Sequence, residues 1–225
     1  MSIANKKFDQ AFSFLEYIYR GNWQFRWENV PFINQNSNNT KGESVIAHSY
    51  SSLMLWFSLR YVLPHINKII HSEKIYEHLL IHDIGEIEIG DISRATQIAH
   101  PSATKDQDEL SVIEKLVSAY PPVLGQRITA LFREFTFNDK QSLESLMANY
   151  CDSLQGNHFA LIYGFNLQKN SQLISKIINS HFIPISTQLI DRLNTIDLKA
   201  GQEIQSLTSY HLQSIRNAGI KLVIN

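Results

Sequence analysis

Ten consecutive residues, His82-Asp83-Ile84-Gly85-Glu86-Ile87-Glu88-Ile89-Gly90-Asp91, carry five ionisable side chains and follow directly on the apolar run Leu79-Leu80-Ile81. A fold that buries the apolar run also draws these polar groups into its interior. There, a charge without a partner costs several kcal/mol or titrates at a shifted pKa. At helical spacing His82 and Glu86 stand at i and i+4, and Asp83 and Glu86 at i and i+3, so one wall would present an imidazole and two carboxylates. The rest of the chain must supply what this wall lacks.

Around it the apolar residues keep a helical period almost throughout. Phe8, Phe12, Leu15, Ile18 and Tyr19 mark a first helix over Asn5 to Tyr19, followed by an aperiodic segment with Arg20, Trp23, Arg26 and Trp27. Pro31 to Gly42, rich in Asn and Ser, reads as an exposed loop, and its Asn38-Asn39-Thr40 sequon carries little meaning in a cytosolic chain. A second helix runs from Glu43 to a stop before Pro64, with His48 on a face of small residues including Ser44, Ser51 and Ser52. A third spans Ile66 to Glu88, with a break near His71 and Ser72, and Gly90 turns the chain away. Asp91 to Thr104 reads as a loop, Lys105 to Tyr120 and Val123 to Phe135 as helices, and Asn138-Asp139 as a turn. A sixth helix runs from about Gln141 past Leu154, interrupted by Asp152 between Ala148 and Gly156. Ser171 to Asn225 stays helical without strong chemistry. The fold class expected is all-α.

With 225 residues, 44% of them hydrophobic, the chain can bury one sizeable core. A net charge of -1 offers no global field to recruit nucleic acid or an anionic membrane. The lone cysteine, Cys151, excludes an intramolecular disulfide and reads as a small buried apolar residue. The polar start Met1 to Gln10 lacks a signal-peptide core, and no apolar run is long enough to span a bilayer. The expectation is a cytoplasmic protein.

His48, His82, Asp83 and Asp152 form a set of two imidazoles and two carboxylates from three helices, which suits a hard or borderline divalent ion such as Mn, Fe, Co, Ni or Zn. Singly, His48 reads as a core histidine and Asp152 as a helix residue paired to a cation. His78, one turn before His82, lacks the adjoining Glu of zinc proteases and reads as structural. His65, His71, His100, His158, His181 and His211 fit no ligand pattern.

In order and spacing, the segment Glu43 to Ser49 with His48, then His82-Asp83-Ile84-Gly85-Glu86 with Gly90-Asp91-Ile92, then Asp152, resemble the HD-domain metal-dependent phosphohydrolases, and within them the YfbR-like 5'-deoxynucleotidase branch. The likeness spans roughly Phe12 to Gly156. It implies an all-α HD bundle over residues 1-165, with C-terminal helices over 166-225 packed on it as the same domain or a small appendage. By position it makes His48, His82, Asp83 and Asp152 the ligands of one divalent metal ion (Mn, Co, Fe, Ni, Zn or Mg). It makes Glu86 and Asp91 the catalytic pair, acting on the attacking water and beside the substrate, and Arg20, Trp23, Arg26 and Lys105 the substrate-binding residues, with Glu109 completing a Lys-x-x-x-Glu element.

The implied reaction is release of phosphate from (deoxy)nucleoside 5'-monophosphates by attack of a metal-bound water. The implied partners are a small phosphate ester and a second copy of the chain, with no nucleic acid and no membrane. Ala47 stands where the family usually has Glu, and the Pro31 to Gly42 loop is longer than usual, both of which bear on nucleotide specificity. Other phosphoesters (cyclic nucleotides, nucleoside triphosphates, non-nucleotide phosphates) form the second reading, and a non-catalytic nucleotide- or metal-binding HD protein the third.

Overall fold

The computed structural model describes residues 3–27, 30–33, 42–99, 104–137 and 141–224. Their α-helices in chain order are α1 (Ile3–Arg20), α2 (Val45–Val62), α3 (Ile66–Ile69), α4 (Ser72–Ile81), α5 (Glu86–Ile89), α6 (Arg94–Ala99), α7 (Lys105–Val117), α8 (Pro122–Thr136), α9 (Leu143–Tyr163), α10 (Ser171–Ile177), α11 (Ile183–Asn194) and α12 (Leu198–Asn217). The fold is all-α. Among the described residues the one extended pairing is an isolated antiparallel bridge between Phe25 and Ser44.

Local chemistry sets the helix starts. Ser44 caps α2 by accepting the Ala47 N–H, Ser142 caps α9 by accepting the Ser145 N–H, and Asp197 caps α12 by accepting the Lys199 N–H. Pro122 opens α8, where its missing N–H costs nothing. Helix α9 lies at the centre and packs against α2, α4, α8 and α11. Its first nine residues, Leu143 to Cys151, are all buried, so the first half of this helix is enclosed on every side.

The expected third helix is interrupted twice. It breaks at Ile70 and His71, and α4 ends at Ile81. From there the chain winds through turns bonded three residues apart: Ile84 N–H to Ile81 O, Glu86 N–H to Asp83 O and Glu88 N–H to Gly85 O. These turns keep helical dihedrals at His82 (φ -54°, ψ -40°), which is why Ile81, Ile84 and Ile87 imitate one continuous helix. Gly85 lets the turn close on α7, where a Cβ would meet Glu109 at 3.1 Å. Gly90 ends α5 at φ 85°.

Two other expectations are corrected. Asp91 to Thr104 contains helix α6, and the expected exposed loop begins with Phe32 and Ile33 buried in the core, where the Phe165 N–H donates to Phe32 O. The rest of that loop through residue 41, with the Asn38 sequon, and the Asn138-Asp139 turn lie outside the described residues, as does His100.

The C-terminal helices share the main core. Ile178, Phe182, Leu189, Leu193 and Ile204 belong to one buried cluster with Trp56, Leu79, Leu146 and Tyr150. A smaller cluster of Ile84, Ile87, Leu110, Ile113, Ile128 and Phe132 lies under α7 and α8 and seats the turn that follows α4. Since Leu189 is fully buried, Leu189→Ala is expected to cost about 2–5 kcal/mol while leaving a single urea transition. A second transition would make the C-terminal helices a separate unit.

Candidate metal centre

Helix α2 supplies His48, the turn after α4 supplies His82 and Asp83, and α9 supplies Asp152, so the structure brings all four residues to one point. The two Nε2 atoms lie 3.2 Å apart. Asp152 Oδ1 is 2.8 Å from His48 Nε2 and 3.6 Å from His82 Nε2, and Asp83 Oδ2 is 3.5 Å and 3.2 Å from them in the same order. Atoms that share an ion at about 2.0–2.2 Å stand about 3 Å apart when they meet at right angles. The donor atoms of His48, His82 and Asp83 lie within 4.8 Å of one another, a spacing that one ion can share, and Asp152 stands against both imidazoles.

The tautomers decide what these atoms present to one another. His82 Nδ1–H donates to Leu79 O at 3.0 Å, which leaves Nε2 as a lone pair. For His48 the assignment runs through a buried chain. Glu43 can only accept, and it takes Trp27 Nε1–H at 3.1 Å and Gln155 Nε2–H at 2.7 Å. That orients the Gln155 amide so that Oε1 faces His48 Nδ1 at 2.6 Å, and His48 must donate there. With both imidazoles neutral, the two Nε2 lone pairs confront two carboxylate oxygens with no proton among them. Such an arrangement is repulsive until a cation enters it, and the donor set fits a divalent metal ion.

Electrostatics carry the same imprint. Burial opposes a charge on His82, but Asp83 and Asp152 outweigh it and push its pKa up to about 10. Burial would raise Asp83, yet His82 and Arg26 hold it well below the usual carboxylate range; burial likewise acts on Asp152 and is overcome by the adjoining His48 and His82. Without metal, a proton on His82 takes the place of the cation.

Glu86 lines the cavity beside this centre. Its Oε1 accepts from Lys105 Nζ at 3.2 Å, and Lys105 also reaches Glu109 Oε1 at 3.2 Å. Glu86 Oε2 is buried and has no hydrogen-bond partner among the described residues. Burial first, and Asp83 second, raise the Glu86 pKa well above the carboxylate range. Asp91 Oδ2 accepts the Trp27 N–H at 2.9 Å and so holds Trp27 at φ 70°, a backbone region that bulky residues rarely adopt.

A cavity of about 470 Å³ opens beside the centre, and Arg26, Asp83, Glu86, Asp91, Lys105 and Asp152 all line it. Arg26 bonds to Asp83 Oδ2 at 2.5 Å. Arg20 and Trp23 do not line the cavity. Arg20 pairs with Glu88 at the surface, and Trp23 is 78% exposed. His78 lies apart from the four donors, with Nε2 3.6 Å from Glu134. Burial pushes the Cys151 thiol up, so that side chain behaves as a packed apolar group.

Sequence reasoning missed Glu43, Gln155, Trp27 and the wall supplied by α10 and α11. Glu43 stands outside α2 and Gln155 is an ordinary helix residue, so neither carries a local signal. Ala47, at the position of the usual family Glu, is exposed.

The HD domain family profile matches residues 34–184, a range that contains all four donor residues. Among solved structures, one described as a predicted metal-dependent phosphohydrolase from Magnetospirillum magnetotacticum MS-1 superposes with a TM-score of 0.59 at 18% identity, covering 95% of this chain and 96% of that one. At that identity the likeness is one of fold. No curated protein matches the sequence significantly. Among the described residues no helix is long and apolar enough to cross a membrane.

Two outcomes are expected from the centre. Gln155→Leu removes the group that orients His48 and should weaken Mn or Zn affinity by about 10- to 100-fold with the fold intact, measured by metal-competition titration. The pKa of His82 is higher in the folded chain than its ordinary 6.5, so its stabilising proton is fully present below about pH 6.5 and lost as the pH rises to about 10. Chelator-treated protein should lose melting temperature across that window, and metal-loaded protein should not.

Proposed function

Since the chain belongs to the HD-domain family, shown by the match over two thirds of its length, we propose that it is a metal-dependent phosphohydrolase that releases phosphate from nucleoside 5'-monophosphates, deoxynucleotides first among them. The observation that carries this reading is the convergence of four lone-pair donors, two of them imidazoles with assigned tautomers, on a cavity that also holds Arg26 and Lys105.

His48, His82, Asp83 and Asp152 would hold one divalent ion. Such an ion supplies positive charge to phosphoryl oxygens and lowers the pKa of a water it holds to about 7 in favourable sites. The remaining work belongs to the chain. Lys105 fixes Glu86 by Oε1 and leaves Oε2 without a protein partner, so Oε2 is placed to accept the proton of an attacking water. Burial and the neighbouring Asp83 raise the Glu86 pKa above the ordinary carboxylate range, the direction that makes a carboxylate a stronger base. Arg26 and Lys105 offer N–H donors to the non-bridging oxygens of a phosphomonoester, where charge-assisted bonds are strongest. We assign the substrate contacts to Arg26 and Lys105 rather than to Arg20 and Trp23.

The nucleotide is the finer part of the proposal. It is supported by the likeness of the His48, His82-Asp83 and Asp152 motifs to the YfbR-like 5'-deoxynucleotidases and by a cavity in the size range of small-molecule sites. Trp27 on the same wall, stacked on Phe159 with 13° between the rings, adds an aromatic surface.

Phosphate release from a panel of deoxy- and ribonucleoside 5'-monophosphates, with Mn, Co, Ni, Zn or Mg added to chelator-stripped protein, tests the reading. Release is expected with metal and not without it. Glu86→Gln should cut kcat by about 10²- to 10⁴-fold with metal still bound, and Asp83→Asn should lose the metal. Full turnover by Glu86→Gln would remove Glu86 from the mechanism. Release from cyclic nucleotides or triphosphates but not monophosphates would overturn the substrate assignment.

A further inference from the structure

The far wall of the cavity comes from a part of the chain that carries none of the metal-site residues. Between α10 and α11 the helical rod does not break. It widens into a single π-turn over Ile178–Phe182, closed by the Ile183 N–H bonding back five residues to Ile178 O. Pro184 is the physical cause: it has no N–H to return to the carbonyl of Ser180, and its ring would clash with that carbonyl in a regular α-helix. One extra residue in the turn rotates the face that follows, and single π-turns are found frequently at functional sites.

His181 sits on this turn and lines the cavity among Ile177, Ile178 and Ile185. Its ring nitrogens make no hydrogen bond among the described residues. The residue is part-buried and its ring faces the cavity, so its donor and acceptor are left for whatever the cavity holds. Burial, with Arg94 alongside, pushes its pKa down to about 4, so it presents a neutral imidazole near pH 7. A neutral imidazole offers one donor and one acceptor, which can satisfy both sides of an uncharged polar group. The anionic end of a substrate has its own partners across the cavity in Arg26 and Lys105.

Building on the phosphohydrolase reading, we propose that His181 is a specificity-determining residue that hydrogen-bonds an uncharged polar group on the leaving-group half of the substrate, a sugar hydroxyl or a base edge, while Ile177 and Ile185 flank that half. The π-turn is the device that presents it. A phosphoester with a purely apolar leaving group gains nothing from His181, and that difference is what separates this role from general support of the fold.

The test compares wild type, His181→Leu and His181→Asn on nucleoside 5'-monophosphates and on phenyl phosphate, with binding of both ligands to the metal-loaded Glu86→Gln protein followed by calorimetry in the same three backgrounds. For nucleotides, His181→Leu should lower kcat/KM by about three- to thirty-fold, mostly through KM, and His181→Asn should recover part of the loss by restoring a donor and an acceptor. Phenyl phosphate should be unaffected. Equal loss on both ligands, or no loss on nucleotides, overturns the inference and leaves the phosphohydrolase reading standing. Absence of phosphate release from any substrate, with nucleotide binding still weakened by His181→Leu alone, overturns the hydrolase reading and keeps the subsite. Nucleotides that fail to bind at all overturn the subsite.

Discussion

Two imidazole nitrogens and two carboxylate oxygens, each nitrogen 2.8–3.6 Å from both oxygens, are the constraint on which the rest of this structure depends. Coulomb repulsion between two carboxylate oxygens and two imidazole lone pairs is only partly relieved by solvent, because both histidines are buried and both aspartates are mostly so. A divalent cation held there would relieve it. Around the centre every group is arranged to keep that place for one: Leu79 O and the Gln155 amide take the Nδ1 protons, Glu43 orients the amide, and Trp27 holds Glu43. Arg26 takes up part of the Asp83 charge from the cavity side. Removing any link in that chain leaves the four donors in place and loosens their aim.

The parts that the sequence exposes are those where a residue contradicts its own helix. His48 on a face of α2 otherwise built from small and apolar residues, and Asp152 inside the buried run of α9, are misplaced unless something pairs with them. Such local contradictions can be read without knowing the partner. Glu43 and Gln155 contradict nothing locally, since a glutamate before a helix cap and a glutamine on a half-buried helix face are ordinary. Their part in the centre exists only because α2 and α9 pack side by side, 112 positions apart for that hydrogen bond. The end of α4 was hidden for the opposite reason. Turns bonded at three residues preserve helical dihedrals and an apolar spacing of three, so periodicity reads through them as if the helix went on.

In the C-terminal third one residue was legible and its meaning was not. Pro184 stands inside a run whose apolar residues, Leu173, Ile174, Ile177, Ile178, Leu189 and Leu193, keep helical period on both sides. A proline there demands a kink, a stop or a bulge. Burial selects the bulge: Ile178 and Phe182 on one side and Leu189 and Leu193 on the other all enter the same core, and only a continuous rod keeps both halves seated. His181 is carried to the cavity by that compromise between a missing N–H and two apolar stripes.

The division of labour that results follows from rigidity. The four donors stand on α2, α9 and a turn clamped by Glu109 and the cluster under α7, and the deep burial of α9 leaves them little freedom to move. A centre whose donors must meet within a few tenths of an ångström needs such support. The opposite wall of the cavity requires only shape and one or two polar contacts, and it is built from α10, the π-turn and the start of α11, where Pro184 and Gln188 are exposed. Substitutions on that wall alter which leaving group fits without disturbing how the donors converge. On the proposed roles, chemistry and selectivity would reside in different segments of one core, and the π-turn is where the second segment reaches the cavity.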